Sequence, residues 1–278
     1  MATNKYLASV DLDATLLKDD KTISSFSKDY IKKFVEDGNY FIINTGRPFQ
    51  SAIEFLQMLE INQPVIVNNG GAIVYFDEEN SKVVDYEVFT MDKQLVKNFN
   101  KEVKPYLSTA LITSLFNIYS YDFSLCPFWV LHESNMVKFI EGDVSSLLND
   151  DPIRSEYYVK EEYINEFLNV LDKYKDNFNI IDWGNHEGDI HSFEVTSKKG
   201  NKGDTMLYLA SKLGIPKENT LAFGDQLNDL EMIIKAGDGV AMANARDEVK
   251  AKAKNVTRYT NDEDGVINYL IEALKNRI

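Results

Sequence analysis

Three short apolar runs near the start of the chain are separated by two stretches of helical period. The first run, Lys5–Val10, stops at Asp11. Ser24–Glu36 then places Phe26, Tyr30, Ile31, Phe34 and Val35 at helical spacing, with Ser24 or Ser25 as a cap and Gly38 as a stop. The second run, Tyr40–Ile43, leads into Asn44-Thr45-Gly46-Arg47, and Phe49–Leu59 is again helical in period. The third, Pro64–Val67, is ended by Asn68-Asn69-Gly70-Gly71. Strand, helix, strand, helix, strand is the rhythm of a doubly wound parallel sheet. It returns late in the chain. Asp204–Leu213 reads as a helix, Thr220–Phe223 as a strand ending at Gly224-Asp225, and Leu230–Lys235 as a helix. Two short strand candidates, Val240–Met242 and Asn255–Thr257, precede a last helix at Gly265–Lys275.

Between these parts the rhythm is lost. Val83–Phe89, Asn117–Phe123, Phe128–Leu131, Phe178–Trp183 and His191–Val195 lean towards strand, and Asp92–Tyr106 and Glu161–Tyr174 towards helix. An α/β core made of residues 1–84 and 193–278 is therefore expected, with an α+β block at 85–192 inserted into it. The 278 residues suit such a division at about 150 residues per domain.

The 30 Lys and Arg against 44 Asp and Glu leave a net charge of −14. That balance argues against nucleic-acid binding, which needs clustered positive charge. It leaves room for a small phosphorylated ligand held by one lysine or a metal ion. Cys126 is the sole cysteine, so an intrachain disulfide and a thiolate cluster are excluded; its run Leu125–Val130 reads as core. No run of about 18 apolar residues predicts a membrane span. Asp11 and Asp13 fall where a signal peptide is apolar, so a cytoplasmic protein, monomer or homodimer, with no membrane partner is expected. No G-x-G-x-x-G follows the first strand, which disfavours a dinucleotide-binding dehydrogenase.

In open α/β sheets, ligands bind beyond the carboxyl ends of the strands. The residues at those ends are Asp11-Leu12-Asp13, Thr45-Gly46-Arg47 and Gly224-Asp225, the last leading to Asn228-Asp229. Four carboxylates in one cleft would repel one another unless a hard divalent cation such as Mg²⁺ joined them. The same set suits phosphoryl transfer. Asp11 can attack phosphorus and Asp13 can move the protons. Thr45 can offer its hydroxyl to a phosphate oxygen, and Lys202 a point charge at a helix start. Asp225 can ligate a metal, and Asp229 can ligate it or orient a ligand. The bland readings are a solvated turn for Asp11 and Asp13, a capping role for Thr45, and dipole-favoured acids for Asp225 and Asp229. Lys198 and Lys199 compete with Lys202. Arg47 reads equally as a phosphate contact or a structural ion pair. His132, His186 and His191 lack metal-ligand spacing, Phe128 and Trp129 read as core, and Asp77-Glu78-Glu79 as a solvated loop.

Asp11-Leu12-Asp13-Ala14-Thr15-Leu16-Leu17 resembles the first motif of the haloacid dehalogenase (HAD) superfamily phosphatases. Asn44-Thr45-Gly46-Arg47-Pro48 resembles the second motif in its Cof-like form, Lys202-Gly203 the third, and Gly224-Asp225-Gln226-Leu227-Asn228-Asp229 the fourth. Gly239–Ala245 and Asn261–Val266 resemble that subfamily's C-terminal signature. The resemblance implies Mg²⁺-dependent hydrolysis of small phosphorylated metabolites through an aspartyl-phosphate, on a Rossmann-like core with a C2-type cap. It makes Asp11 the nucleophile and Asp13 the general acid/base. Asp11, the Asp13 carbonyl and Asp225 would hold the metal, with Asp229 supporting it, and Thr45, Gly46, Lys202 and Asn228 would hold the phosphate. A sugar phosphomutase on the same core, or a non-catalytic phospholigand-binding protein, is the alternative. One departure is Ala14, where the subfamily usually has glycine; the alanine would be strained only at positive φ.

Overall fold

The computed structural model describes residues 5–77, 79, 82–126, 137–186 and 189–275. It holds two compact units, Met1–Glu87 with Asn201–Ile278, and Val88–Gly200. The chain runs through β1 (Leu7–Val10), α1 (Ser25–Glu36), β2 (Tyr40–Ile43), α2 (Phe49–Leu59), β3 (Val65–Val67), β4 (Ala72–Asp77) and β5 (Lys82–Val88). The second unit follows with α3 (Lys93–Val103), β6 (Leu107–Thr113), β7 (Asn117–Ser120), β8 (Lys138–Glu141), α4 (Val144–Leu147), β9 (Arg154–Lys160), α5 (Ile164–Asp172), β10 (Phe178–His186) and β11 (Ile190–Ser197). The first unit closes with α6 (Lys202–Lys212), β12 (Thr220–Gly224), α7 (Leu230–Lys235), β13 (Asp238–Ala241), α8 (Asp247–Lys250), β14 (Asn255–Val256) and α9 (Gly265–Leu274).

In the first unit five strands pair in parallel in the order β14-β13-β12-β1-β2. Val10 of β1 lies opposite Phe223 of β12 and Ile43 of β2. β1 and β2 therefore end level, one residue before β12, and Asp11, Asn44 and Gly224 lie side by side at the strand ends. Leu7, Ala8, Val10, Phe41, Ile42, Ile43, Ala222 and Phe223 are wholly buried, as strands covered on both faces must be. The helices start where the capping residues put them. Ser24 accepts the Ser27 N–H ahead of α1, and Asn201 accepts the Asp204 N–H ahead of α6.

The third apolar run behaves differently from its place in the rhythm. β3 touches the parallel sheet only through a bridge between Asn44 and Ile66, and pairs antiparallel with β4 in a separate sheet, β3-β4-β5. Pro64 has no N–H to donate, and the backbone turns left-handed at Asn68, so only three residues are left to form a ladder.

In the second unit six strands form a sheet in the order β10-β11-β9-β6-β7-β8, antiparallel apart from the β7–β8 pair. Its C-terminal limit lies at Gly200, beyond the expected 192, because β11 hydrogen-bonds between β9 and β10 along its length. β6 and β9 carry no strong periodic signal; β9 places Arg154 and Glu156 on one face and buried Ser155 and Tyr157 on the other. Asn117–Phe123 is strand only to Ser120, since Asp122 accepts the Ser124 N–H and starts a tight turn. The Phe128–Leu131 candidate, with Trp129, and His132 and Glu78 lie outside the described residues. Cys126 is buried beside Leu111, Ile118 and Tyr158, but Leu125 of the same run is exposed, and the rest of the run lies outside the described residues. No helix among the described residues is long and apolar enough to cross a membrane.

Phe99 anchors the second unit's core. Its ring meets Tyr157 edge-on at 5.1 Å, Tyr174 at 5.0 Å, Phe167 at 5.9 Å and Phe178 at 6.0 Å, and it is wholly buried. Truncating it removes those contacts and leaves a cavity. Phe99→Ala is expected to lower the stability of this unit by about 3–5 kcal/mol in urea unfolding, and a loss below about 1 kcal/mol would contradict this packing.

Candidate active site

The first residue of α6, Lys202, has no solvent exposure, and its ammonium lies between two carboxylates. Lys202 Nζ donates to Asp11 Oδ1 and to Asp229 Oδ1, each at 2.6 Å. Burial pushes the ammonium towards neutrality, but the charges of Asp11 and Asp229 outweigh it and hold Lys202 protonated above the ordinary lysine range. Lys198 and Lys199 are exposed, so of the three competing lysines Lys202 is the one that reaches the strand ends.

Asp11, Asp225 and Asp229 are all buried, and one oxygen of each lies within 4.8 Å of the others. Burial, helped by the charges of Asp229 and Asp225, pushes Asp11 up to about 8 despite Lys202. Burial and Asp229 push Asp225 up to about 6. If all three ionise, the cluster with Lys202 carries −3 + 1 = −2. That excess fits a hard divalent cation held by oxygen donors. The roles within the cluster differ. Asp229 uses Oδ1 for Lys202 and Oδ2 for the N–H groups of Asp225 and Gln226, so both its oxygens are engaged. Asp225 is steadied by the Thr15 hydroxyl at 2.9 Å and the Gln226 amide at 3.1 Å. Thr15 sits inside the first motif but drew no role from the sequence.

The carboxylate of Asp13 stands apart from this cluster. Arg47 grips it through Nε to Oδ2 and an Nη to Oδ1, both at 2.7 Å, and Lys21 Nζ approaches Oδ1 at 2.8 Å. Burial favours its neutral form, but the bonds and charges from Arg47 and Lys21 prevail and hold it near 2. Arg47 is thus an ion-pair partner of Asp13 here. Its guanidinium also lies 4.9 Å from the centre of the Phe55 ring. Directly after the two acids the chain turns tightly, and Ala14 takes φ 53°. Two residues of the C-terminal signature hold this turn. Asn244 donates to the Ala14 carbonyl at 2.7 Å, and Asn261 to that of Leu17 at 3.0 Å.

Thr45 is buried, and its hydroxyl accepts the Arg47 N–H at 3.1 Å, a local turn contact and not a helix cap, since the N-cap position of α2 is Pro48. Gly46 packs against Asn69, and Asn228 Nδ2 donates to Asn69 Oδ1 at 2.8 Å. Of the histidines, His191 pairs with Asp182 and stacks on Phe193 at 4.6 Å, a structural setting, and His186 belongs to β10.

Residues 8–270 match the family model described as haloacid dehalogenase-like hydrolase. Two Bacillus subtilis (strain 168) proteins are similar along nearly the whole chain. The 5-amino-6-(5-phospho-D-ribitylamino)uracil phosphatase YitU is 34% identical, covering 98% of this chain and 98% of its own. The 5-amino-6-(5-phospho-D-ribitylamino)uracil phosphatase YcsE is 30% identical, covering 94% of this chain and 92% of its own. A crystal structure of a haloacid dehalogenase-like hydrolase from Bacteroides thetaiotaomicron shares the fold, with a TM-score of 0.77 at 23% identity over 97% of this chain and 100% of that one.

The positive φ of Ala14 has a measurable cost. A left-handed alanine loses about 1–2 kcal/mol to the clash of its Cβ, against which glycine loses up to about 1 kcal/mol through a freer unfolded chain. Ala14→Gly is therefore expected to raise the melting temperature by about 2 °C. A lower melting temperature would show that the turn bears no strain.

Proposed function

The chain belongs to the haloacid dehalogenase-like hydrolases and is a phosphatase, and we propose that it hydrolyses a small phosphate monoester with Mg²⁺ by way of a phosphoryl group on Asp11. The observation that carries this reading is the buried contact of Lys202 with Asp11 at the end of β1, between β12 and β2. An ammonium that holds a nucleophilic carboxylate in place also offers positive charge to the phosphate it attacks.

An Asp11 oxygen attacks phosphorus while the bond to the leaving oxygen breaks, and Asp13 gives that oxygen its proton. Asp13, now a carboxylate, takes a proton from a water whose oxygen attacks the same phosphorus. The bond from phosphorus to Asp11 then breaks, releasing inorganic phosphate and restoring the carboxylate. Arg47 and Lys21 hold Asp13 in the ionised form needed for the second step. For the first step Asp13 must carry a proton, so those ion pairs loosen when substrate is bound. Asp11, Asp225 and the Asp13 carbonyl would hold Mg²⁺, which would offset the charge of the phosphate and of the carboxylates. Asp229 serves by fixing Lys202 and the Asp225 loop. Thr45, Gly46, Lys202 and Asn228 are the proposed phosphate contacts. We take Val88–Gly200 as the cap domain that the sequence resemblance implies. The names of the two relatives put 5-amino-6-(5-phospho-D-ribitylamino)uracil first among test substrates, with sugar phosphates beside it.

Without metal, the raised Asp11 and Asp225 make the folded state bind more protons than the unfolded chain between about pH 4 and 8. Stability in EDTA should therefore fall as pH rises through that window. Mg²⁺ replaces those protons, so its thermal shift should be larger at pH 8 than at pH 5.5. An equal shift at both values would place the metal elsewhere.

Hydrolysis of a panel of phosphate esters, p-nitrophenyl phosphate included, should require Mg²⁺ and disappear in EDTA. Asp11→Asn should lower kcat by about a thousandfold or more. Metal-dependent turnover that survives Asp11→Asn would exclude Asp11 as the nucleophile.

A further inference from the structure

The turn after β3 carries three successive residues in the left-handed region, Asn68 at φ 52°, Asn69 at φ 54° and Gly70 at φ 90°. Non-glycine residues avoid this conformation, and a run of it persists only where the surroundings enforce it. Here they do. The Asn68 N–H donates to the Arg47 carbonyl at 3.0 Å and the Asn69 N–H to the Thr45 carbonyl at 3.1 Å. The Thr205 hydroxyl donates to the Gly70 carbonyl at 2.7 Å. Gly70 lies so close to the Asn201–Lys202 peptide that a Cβ would overlap it.

Asn69 fills the centre of this arrangement. Its Oδ1 lies 2.8 Å from where a Cβ of Gly46 would stand, and it accepts Asn228 Nδ2 at 2.8 Å. The turn therefore touches each of the three segments that carry the proposed phosphate contacts: Thr45-Gly46, the peptide before Lys202, and Asn228. An amide nitrogen has two hydrogens. With one fixed on Asn69, the direction of the other is set. The opposite oxygen, Asn228 Oδ1, is buried and has no partner among the described residues, as has Asn68 Oδ1. Leaving such acceptors unsatisfied is costly, which marks a region built for something other than stability.

We propose that Asn69 is a positioning residue for the phosphate: it fixes the Asn228 amide and the Thr45-Gly46 turn in the orientation that receives the phosphate oxygens. This rests on the assignment of Thr45, Gly46, Lys202 and Asn228 as phosphate contacts. Asn69 acts through Asn228 and Gly46 and does not itself touch the reacting atoms.

The test uses the full chain with Mg²⁺ and compares wild type, Asn69→Gly, Asn228→Ala and the double variant. Glycine accepts the left-handed backbone, so Asn69→Gly removes the side chain without adding strain. Kinetics on p-nitrophenyl phosphate give kcat and KM, and calorimetry gives the Kd for inorganic phosphate without turnover. Asn69→Gly should raise KM and the phosphate Kd by about tenfold while changing kcat by less than about threefold. Asn228→Ala should do the same, and the double variant should be no weaker than Asn228→Ala, since both remove one coupled unit. Wild-type KM and Kd in Asn69→Gly, or effects that multiply in the double variant, would overturn the proposal. Should Asn69→Gly fail to fold, Asn228→Ala breaks the pair without touching the turn, and an unchanged phosphate Kd there overturns it equally. A wild type that binds phosphate but hydrolyses no ester defeats the phosphatase mechanism and leaves the Asn69 comparison intact. A wild type that binds no phosphate overturns the inference.

Discussion

A lysine ammonium removed from water between two carboxylates is the contact on which the rest of the site depends. Lys202 has no solvent exposure, and neither has Asp229. Taking such charges out of water costs several kcal/mol for each ion, and only close partners compensate. The geometry supplies them from three separate stretches of chain: Asp11 after β1, Lys202 at the start of α6, and Asp229 beyond β12. The parallel register that brings the ends of β1 and β12 together is what lets one ammonium reach both acids. Removing either acid would leave a buried charge without its partner, so the pieces are conditional on one another.

Around this ion cluster polar contacts between segments add to the apolar packing. Asn44 donates to Ser9 and to the Lys202 carbonyl, tying β2 to β1 and to the start of α6. Asn244 and Asn261 hold the turn that carries Asp13, and Asn69 joins the turns after β2 and β3. Two of these turns contain left-handed non-glycine residues, Ala14 and the Asn68-Asn69 pair. Strain of this kind persists where several bonds over-determine the backbone, and both places adjoin the carboxylate cluster.

Much of this was legible in the sequence, for a physical reason. Each motif lies at the end of an apolar run, and the rule that ligands gather at the carboxyl ends of parallel strands converts separated motifs into one place. Asp11, Asp13, Thr45, Asp225 and Asp229 stand out on that ground, and Lys202 by its place at a helix start. What could not be read was the division of labour among oxygens. Nothing in the spacing says that Asp229 gives both oxygens to N–H and ammonium donors, or that Arg47 is turned onto Asp13. Lys21 was invisible because its partner is eight positions back across a turn. Asn69 was hidden in Asn68-Asn69-Gly70-Gly71, which reads as punctuation because asparagine and glycine are what any turn uses. β6 and β9 were missed because long-range pairing, not local pattern, decides them.

The two acids of the first motif show how little sequence distance means for chemistry. Asp11 and Asp13 are two residues apart, yet their environments move them in opposite directions. Burial beside other carboxylates carries Asp11 up to about 8, while a bidentate arginine and a lysine hold Asp13 near 2. Pairs of carboxyl groups pushed apart in this way mark sites where one group accepts what the other gives. In the mechanism proposed above, the same separation sets an order: the carboxylate cluster sheds its surplus charge before Asp11 attacks as an anion, and Asp13 is loosened from Arg47 before it carries a proton. A ligand that brings a cation to the first and an anionic group to the second relieves both constraints at once, and a phosphate ester bound with a divalent metal has that chemistry.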